Sequence, residues 1–312
     1  MLLYTAYAFL FMIFFLPFGI KLIKSLQFKQ TVRAEGPKSH AHKTGTPTMG
    51  GFWFLVPLVG FLFFSEHLTA TTRFIVLAGL FYGLIGFADD FIKVIRKRNL
   101  GLTSKQKLLC QLVAGAVLYT YMIPLNLSTN IEILSMSLDL KWAYPAFVVL
   151  LFVATSNASN LTDGLDGLLS GISIPIFFTF ALIGLEIQDT SLSFLACLWI
   201  GVLAGFLVFN FHPAKVFMGD VGSLAIGGTV AAFAIATKTE LLLVLIGGVF
   251  VIETLSVILQ VLYFKQTSKR LFKMTPIHHS FEMSGWNEKQ IALSFWLTSI
   301  LFASIGFLIF IT

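Results

Sequence analysis

The stretch LLSGISIPIFFTFALIGLE, residues 168–186, runs for 18 residues without a charged side chain before it reaches Glu186. A helix of that length is about 27 Å long, close to the roughly 30 Å hydrocarbon core of a bilayer. Comparable apolar runs recur along the whole chain. The sequence therefore predicts an all-α polytopic integral membrane protein.

The composition excludes an ordinary soluble domain. Of the 312 residues, 57% are hydrophobic and 12% are charged, and the mean hydropathy is +0.88. Soluble chains carry about 25% charged residues, and one soluble core of this size could not hide so much apolar surface. The even alternation of a membrane β-barrel and the low hydrophobicity of a disordered chain are both absent.

The apolar runs predict about ten transmembrane helices in a single transmembrane domain that covers residues 1–312. Their ends are set only to within a few residues. The predicted spans are 2–22, 50–66, 72–88, 107–125, 143–160, 168–186, 192–210, 222–237, 241–263 and 290–311.

The loops between these spans alternate between a plain kind and a charged, motif-rich kind. Arg73, Lys141 and Lys238 lie on the plain side, and the other 18 of the 21 Lys and Arg residues flank or occupy the motif-rich loops. The positive-inside rule makes the motif-rich side cytoplasmic, and an even number of spans then places both termini outside the cytoplasm. The net charge of +6 is thus mainly a topology signal, and no nucleic-acid partner is expected.

On the plain side, the loop 126–142 has the weak alternation of a small β-hairpin. The motif-rich loops are 23–49, 89–106, 161–167, 211–221 and 264–289.

Five of the seven aspartates fall at the predicted cytoplasmic ends of spans: Asp89, Asp90, Asp163, Asp166 and Asp220. Asp89 and Asp90 are adjacent, and adjacent carboxylates near a low-dielectric boundary repel each other unless a cation lies beside them. They are either a polar helix end partnered by Lys93 and Arg96, or part of a site for a cation or a phosphate.

Two further motifs carry the remaining aspartates. In NLTDGLDGL (160–168), Asp163 and Asp166 would share one face of a helix with Asn160 one turn earlier; the alternative is a pair of acids favoured at a helix start. In FMGDVGSLAIGG (217–228), Asp220 and Ser223 lie where a span begins. Free backbone N–H groups there suit phosphate and a carboxylate suits a metal ion, although an N-cap is the simpler alternative.

The segment TPIHHSFEMSGW (275–286) places His278 beside His279. We interpret the pair as phosphate or substrate contacts rather than zinc ligands, because the sequence contains no HExxH motif. Glu253 and Gln260 lie within the ninth span, where polar groups are costly in lipid, so we expect both to face a groove or the bundle interior.

The charged residues lie at the predicted cytoplasmic ends of the spans. This position favours an enzyme over a carrier, because a carrier would have charged residues near the middle of its spans. Carboxylates with phosphate nearby fit Mg²⁺ better than softer metals. A site of this kind at the membrane surface suits a reaction between a soluble anionic donor and a lipid phosphate.

Five ordered motifs are similar to the signatures of the phospho-N-acetylmuramoyl-pentapeptide-transferase family, within the polyprenyl-phosphate N-acetylhexosamine-1-phosphate transferase superfamily. They are GTPTMGG (45–51), ADDF (88–91), NLTDGLDGL (160–168), FMGDVGSLAIGG (217–228) and PIHHSFEMSGW (276–286). The resemblance implies a homodimeric multi-pass protein of the bacterial cell membrane with a cytoplasmic active site. It also implies the transfer of phospho-MurNAc-pentapeptide from UDP-MurNAc-pentapeptide to undecaprenyl phosphate. The products are lipid I and UMP, the cofactor is Mg²⁺, and this is the first membrane step of peptidoglycan synthesis.

The same resemblance assigns roles to individual residues. Asp220 is the expected Mg²⁺ ligand, Asp89 the base for the lipid phosphate, and Phe217 the aromatic side chain that stacks on uracil. The further catalytic positions are Asp90, Lys107, His278 and His279, and the further substrate-binding positions are Lys43, Thr48, Lys93, Asn160, Asp163 and Asp166.

The chain departs from the family pattern at Ser280, where a third consecutive histidine is usual, and it has Glu35 where Asp or Glu is usual. We expect the third imidazole to be replaceable. A transferase for UDP-GlcNAc and a lipid or solute transporter remain the alternatives. The residues do not decide between direct transfer and a covalent aspartyl intermediate.

Overall fold

The computed structural model describes residues 1–26, 45–96, 100–133 and 136–312, which form a helical bundle with one β-hairpin. Lys43 and Glu35 lie outside the described residues. The hairpin consists of β1 (Asn130–Ile133) and β2 (Met136–Asp139). The helices are α1 (Leu2–Ser25), α2 (Phe52–Phe64), α3 (Ala70–Ile95), α4 (Ser104–Met122), α5 (Tyr144–Thr162), α6 (Leu168–Glu186), α7 (Thr190–Asn210), α8 (Gly219–Ala236), α9 (Leu243–Ile246), α10 (Gly248–Thr267), α11 (Ile277–Glu282) and α12 (Glu288–Ile311).

The predicted class of all-α polytopic membrane protein is confirmed. Within the described ranges, nine helices are long and apolar enough to cross a membrane. Helix α2 has 13 residues and is shorter than these nine, although it falls where the span 50–66 was predicted. The predicted span 241–263 is interrupted at Gly247, between α9 and α10. Ten spans and the placement of both termini stay predictions.

Helix α8 is the centre of the bundle, with 83% of its apolar window buried. It packs along α3 and α5. Small residues permit the close approach, because a Cβ added at Gly86 of α3 would collide with the main chain of Asp220, and one added at Gly228 of α8 would collide with Tyr82. Such small-residue contacts are typical of helix pairs in membranes. The end of α3 and the start of α8 are thereby held together.

Two ends of the bundle carry different structures. The hairpin predicted within 126–142 is confirmed, with Asn130 paired to Asp139. On the same side, Tyr144 donates a hydrogen bond to Glu240 Oε1 at 2.7 Å, and Lys238 Nζ donates to that oxygen at 2.8 Å. The opposite end gathers the end of α3, the start of α4, the end of α5 and the start of α8, which carry most of the predicted site residues.

The prediction that Asp163 and Asp166 share a helix face is wrong. Helix α5 ends at Thr162 and α6 begins at Leu168, so both aspartates lie in the turn between them. Gly167 has φ +72°, a left-handed conformation that glycine adopts without strain and that stops helical propagation. The two carboxylates therefore have separate surroundings.

Candidate active site

Three carboxylates meet around one ammonium group at the shared end of α3 and α8. Asp89 and Asp90 lie in the last turns of α3, Asp220 lies in the first turn of α8, and each offers an oxygen within 4.8 Å of the others. Lys93 Nζ is 2.6 Å from Asp89 Oδ2, 3.2 Å from Asp90 Oδ1 and 3.0 Å from Asp220 Oδ2. We call Asp89, Asp90, Asp220 and Lys93 the carboxylate cluster. The ammonium offsets the repulsion that would otherwise separate like charges.

A second lysine and an amide complete the surroundings of Asp220. Lys107 Nζ donates to Asp220 Oδ2 at 2.8 Å and to Asn160 Oδ1 at 3.3 Å. Asn160 Nδ2 donates to Asp220 Oδ1 at 2.9 Å and to Ser223 Oγ at 2.8 Å. Helix α4 positions Lys107 one turn after a capping box formed by Thr103 and Gln106. Both oxygens of Asp220 are thus held from two further helices.

Backbone N–H groups orient the other two carboxylates. Leu102 N donates to Asp89 Oδ1 at 2.8 Å, and Val221 N donates to Asp90 Oδ2 at 3.2 Å. Each carboxylate lies against a glycine, since a Cβ at Gly101 would collide with Asp89 and one at Gly219 with Asp90. Gly219 also has φ +71°. The sequence indicated free N–H groups at the start of α8 but not that one of them binds Asp90, and the Leu102 donor was not predicted.

The charges and exposure of the carboxylate cluster define what it can bind. Three carboxylates face the two ammonium groups of Lys93 and Lys107, which leaves a formal charge of −1. The side chains of Asp89 and Asp90 are buried, whereas that of Asp220 is 19% exposed and that of Lys93 is 29% exposed. Anionic oxygens close together suit a divalent cation that prefers oxygen ligands, and the lysines suit an anionic phosphate.

Two predicted substrate-binding residues lie on loops that are paired with each other. Phe217 N donates to Pro47 O at 2.8 Å, and Gly50 N donates to Phe217 O at 2.8 Å. Thr48 lies between these two contacts, and a Cβ at Gly219 would contact its hydroxyl. The pairing brings Thr48 and Phe217 to the start of α8, beside the carboxylate cluster.

Asp166 is bound to the loop before α8 instead of to the carboxylate cluster. Its Oδ2 lies 3.0 Å from His212 Nδ1 and accepts a hydrogen bond from Ala214 N at 3.0 Å. Glu288 Oε2 lies 3.8 Å from the same His212 nitrogen. Neither His212 nor Glu288 was predicted as a site residue, because their pairing joins segments that are distant in sequence. Asp163 is the partly exposed C-cap of α5.

The two histidines have different surroundings. His278 is fully buried, and its Nδ1 is 3.0 Å from Glu253 Oε1. His279 Nδ1 lies 2.6 Å from Glu282 Oε2. Ser280 donates to Met274 O at 2.6 Å and accepts from Met274 N at 3.2 Å. The structure thus brings Asp89, Asp90, Lys93, Lys107, Asn160 and Asp220 together, while His278 makes no such contact with them.

Comparison with known proteins places the chain among membrane transferases. Residues 72–238 match the family described as glycosyl transferase family 4. The phospho-N-acetylmuramoyl-pentapeptide-transferase of Halalkalibacterium halodurans is 49% identical over 296 residues, covering 93% of this chain and 91% of the relative. That of Bacillus subtilis is 49% identical over 297 residues with the same coverage. That of Anoxybacillus flavithermus is 48% identical over 314 residues, covering 98% of this chain and 96% of the relative.

Proposed function

The chain belongs to the phospho-N-acetylmuramoyl-pentapeptide-transferase family, and from that premise we propose that it transfers phospho-MurNAc-pentapeptide from UDP-MurNAc-pentapeptide to undecaprenyl phosphate. The products are lipid I and UMP, in the first membrane step of peptidoglycan synthesis. The observation that carries the proposal is the carboxylate cluster, with Lys107 and Asn160, at one end of a membrane-spanning bundle.

A reaction between two phosphates needs positive charge where the anions meet. Lys93 and Lys107 both donate to Asp220, and Asp220 and Lys93 are the more exposed members of the carboxylate cluster. In this proposal the two lysines attract the diphosphate of the donor, and Asn160 keeps Asp220 oriented through Oδ1. Fixed charges of this kind stabilise a transition state without reorganisation.

The donor set of the carboxylate cluster fits Mg²⁺. The three carboxylates offer hard anionic oxygens within 4.8 Å of one another, and Lys93 already holds positive charge at that position. We assign Asp220 as the Mg²⁺ ligand, with Asp89 and Asp90 close enough to contribute. When bound, Mg²⁺ would neutralise the donor diphosphate and stabilise the leaving UMP.

Asp89 is the base in this scheme. It accepts the proton of the lipid phosphate, whose oxygen attacks the phosphorus that bears the sugar. The bond from that phosphorus to the bridging oxygen breaks, and UMP leaves with the electron pair. In a two-step route, an aspartate would attack first and form an acyl phosphate. Single-turnover reactions with the UDP-sugar donor but without undecaprenyl phosphate distinguish the two routes. Only the two-step route releases UMP in the absence of the lipid acceptor.

An apolar cavity supports a lipid acceptor. It has a volume of about 200 Å³ and lies between α5 and the α9–α10 segment, with Ala158, Leu151, Leu243 and Phe250 among its lining residues. Ala158 lies two residues before Asn160 on α5, so one end of the cavity is about 3 Å along the helix axis from Asn160, although the two residues face different sides of α5. In this proposal the cavity holds part of the polyprenyl chain, and the lipid phosphate extends past the end of α5 toward the carboxylate cluster.

The wider setting follows from the same proposal. We place the protein in the bacterial cell membrane as a multi-pass homodimer, with residues 1–312 as one transferase domain. The loops 23–49, 89–106, 161–167, 211–221 and 264–289 then face the cytoplasm, where the soluble UDP-sugar is available. Phe217 stacks on uracil, and Lys43, Thr48, Lys93, Asn160, Asp163 and Asp166 bind the donor, while His278, His279 and Lys107 assist catalysis.

The product identifies the reaction. Purified protein is incubated with UDP-MurNAc-pentapeptide, undecaprenyl phosphate and Mg²⁺, and the lipid extract is analysed by mass spectrometry. The proposal predicts a lipid whose mass equals that of undecaprenyl phosphate plus UDP-MurNAc-pentapeptide minus UMP, formed in equal amount to UMP. UMP without that lipid would mean hydrolysis of the donor and would contradict the proposal.

A further inference from the structure

A buried contact between a carboxyl group and an imidazole links α10 to the short helix α11. Glu253 Oε1 lies 3.0 Å from His278 Nδ1, and both side chains have no exposed surface. Neither side chain forms a hydrogen bond of good geometry within the described part of the chain. A carboxylate in a membrane-spanning helix is costly and calls for a partner, and here that partner is His278.

The other side of the His278 ring lies against the turn after α5. A Cβ added at Gly164 would collide with His278 Nε2, so the imidazole fits only because residue 164 has no side chain. Gly164 follows Asp163, the C-cap of α5, and lies four residues after Asn160. The ring is therefore held between Glu253 and the end of the helix that carries Asn160.

That helix end is connected to the carboxylate cluster. Asn160 Nδ2 donates to Asp220 Oδ1 at 2.9 Å, and Ser159 Oγ donates to Ser223 O at 2.7 Å. A shift of the end of α5 would move both contacts with α8. Packed interiors transmit such shifts because they contain little free volume.

We propose that Glu253 is a positioning residue that acts through His278. Its carboxylate holds the imidazole against Gly164, which fixes the end of α5 and so the hold of Asn160 on Asp220. Glu253 has no exposed surface, so in this proposal its contribution reaches the reaction only through this chain of contacts. The inference rests on the proposed transferase activity.

The kinetic test uses the full-length protein in detergent and four variants: Glu253→Gln, His278→Gln, their combination and Glu253→Asp. We expect each Gln variant to lower kcat at least about tenfold with a smaller change in donor KM, and Glu253→Asp, which keeps the charge, to recover part of kcat. Because the two residues act as one unit, the double variant should be no slower than the slower single variant. Multiplied losses in the double variant, or normal kcat in Glu253→Gln, would overturn the proposal.

A second readout does not depend on turnover. Backbone hydrogen exchange, followed by mass spectrometry, should become faster in peptides covering 160–168 in both Gln variants. Unchanged exchange there would contradict positioning even if kcat fell. If the wild type released no UMP while these peptides still responded, the proposed function would be wrong and the structural link would stand.

Tyr144→Phe is the matched control. Tyr144 lies at the opposite end of α5, and the substitution removes its buried hydrogen bond to Glu240. We expect a lower Tm, as for any lost buried hydrogen bond, with unchanged kcat and unchanged exchange in 160–168. Equal effects of this variant and Glu253→Gln on kcat would mean that general destabilisation explains both, which would overturn the proposal.

Discussion

Replacing Asp220 with asparagine tests the part of the site on which the proposed chemistry depends most. The carboxylate accepts hydrogen bonds from Lys93 at 3.0 Å and Lys107 at 2.8 Å through one oxygen, and from Asn160 at 2.9 Å through the other. Asp220→Asn keeps the size of the side chain and removes its charge. The formal charge of the carboxylate cluster with Lys107 changes from −1 to zero.

The expected magnitude follows from these contacts. A hydrogen bond to a charged group contributes about 1.5–3 kcal/mol, so the two lysine contacts amount to about 3–6 kcal/mol. Relief of repulsion from Asp89 and Asp90 offsets part of that loss in folding stability, so Tm should fall by less than the loss of these two contacts alone would cause. It does not offset the loss of an anionic oxygen for Mg²⁺, which supplies several kcal/mol to charge stabilisation in the transition state. We expect kcat to fall at least about 1000-fold, or about 4 kcal/mol.

The assay measures UMP release by the purified variant at saturating donor and acceptor, together with its Tm. Asp139→Asn is the control, because it makes the same chemical change in the β-hairpin at the other end of the bundle. It should retain wild-type kcat. Near-normal kcat in a folded Asp220→Asn variant would refute the assignment of Asp220 to the reaction, and a collapsed Tm would refute the charge balance that we describe.

Three further substitutions test other parts of the site. Asp89→Asn should lower kcat at least about 100-fold, within the 10²–10⁴ contribution of a general base. The hydrogen bond from Leu102 N is retained, because asparagine keeps one side-chain oxygen. Normal turnover in the UMP assay would exclude Asp89 as the base. Phe217→Ala should raise the KM for the UDP-sugar by about tenfold, from the loss of about 1–3 kcal/mol of base stacking, with little change in the KM for the lipid; an unchanged donor KM would count against stacking. Ser280→His should keep kcat within about threefold, because the Ser280 hydroxyl bonds the main chain of Met274 and not the carboxylate cluster, and its loss is of the order of 1 kcal/mol or less in the transition state. Complete inactivation would show that the local geometry requires serine.

The membrane class and the position of the site could be predicted from the sequence because both depend on local pattern. Long apolar runs fix the helices, and their alternating direction brings every second loop, with the two helix ends that flank it, to the same side. Asp89, Asp90 and Asp220 each lie at such an end, and the structure gathers all three. Asn160 was singled out beside Asp163 and Asp166, and Lys107 was expected only through the resemblance to a family. The structure brings both to Asp220.

The remaining features depend on contacts between distant segments, which periodicity does not encode. The spacing of Asp163 and Asp166 suited a helix, but the chain turns there and Gly167 takes a left-handed conformation. The pairing of Asp166 with His212 connects the turn between α5 and α6 to the loop before α8. Glu253 was expected to avoid lipid, but its partner, His278, comes from a separate helix.

The most direct measurement compares UMP release from UDP-MurNAc-pentapeptide and from UDP-GlcNAc, each with undecaprenyl phosphate, in Mg²⁺ and in excess chelator. Our account predicts release from the pentapeptide donor only, abolished by the chelator and restored by added Mg²⁺. Release from UDP-GlcNAc instead would assign the protein a different donor. Release that persists in chelator would contradict the role of the carboxylate cluster, and no release from either donor in a folded sample that binds UDP-sugar would favour transport over transfer.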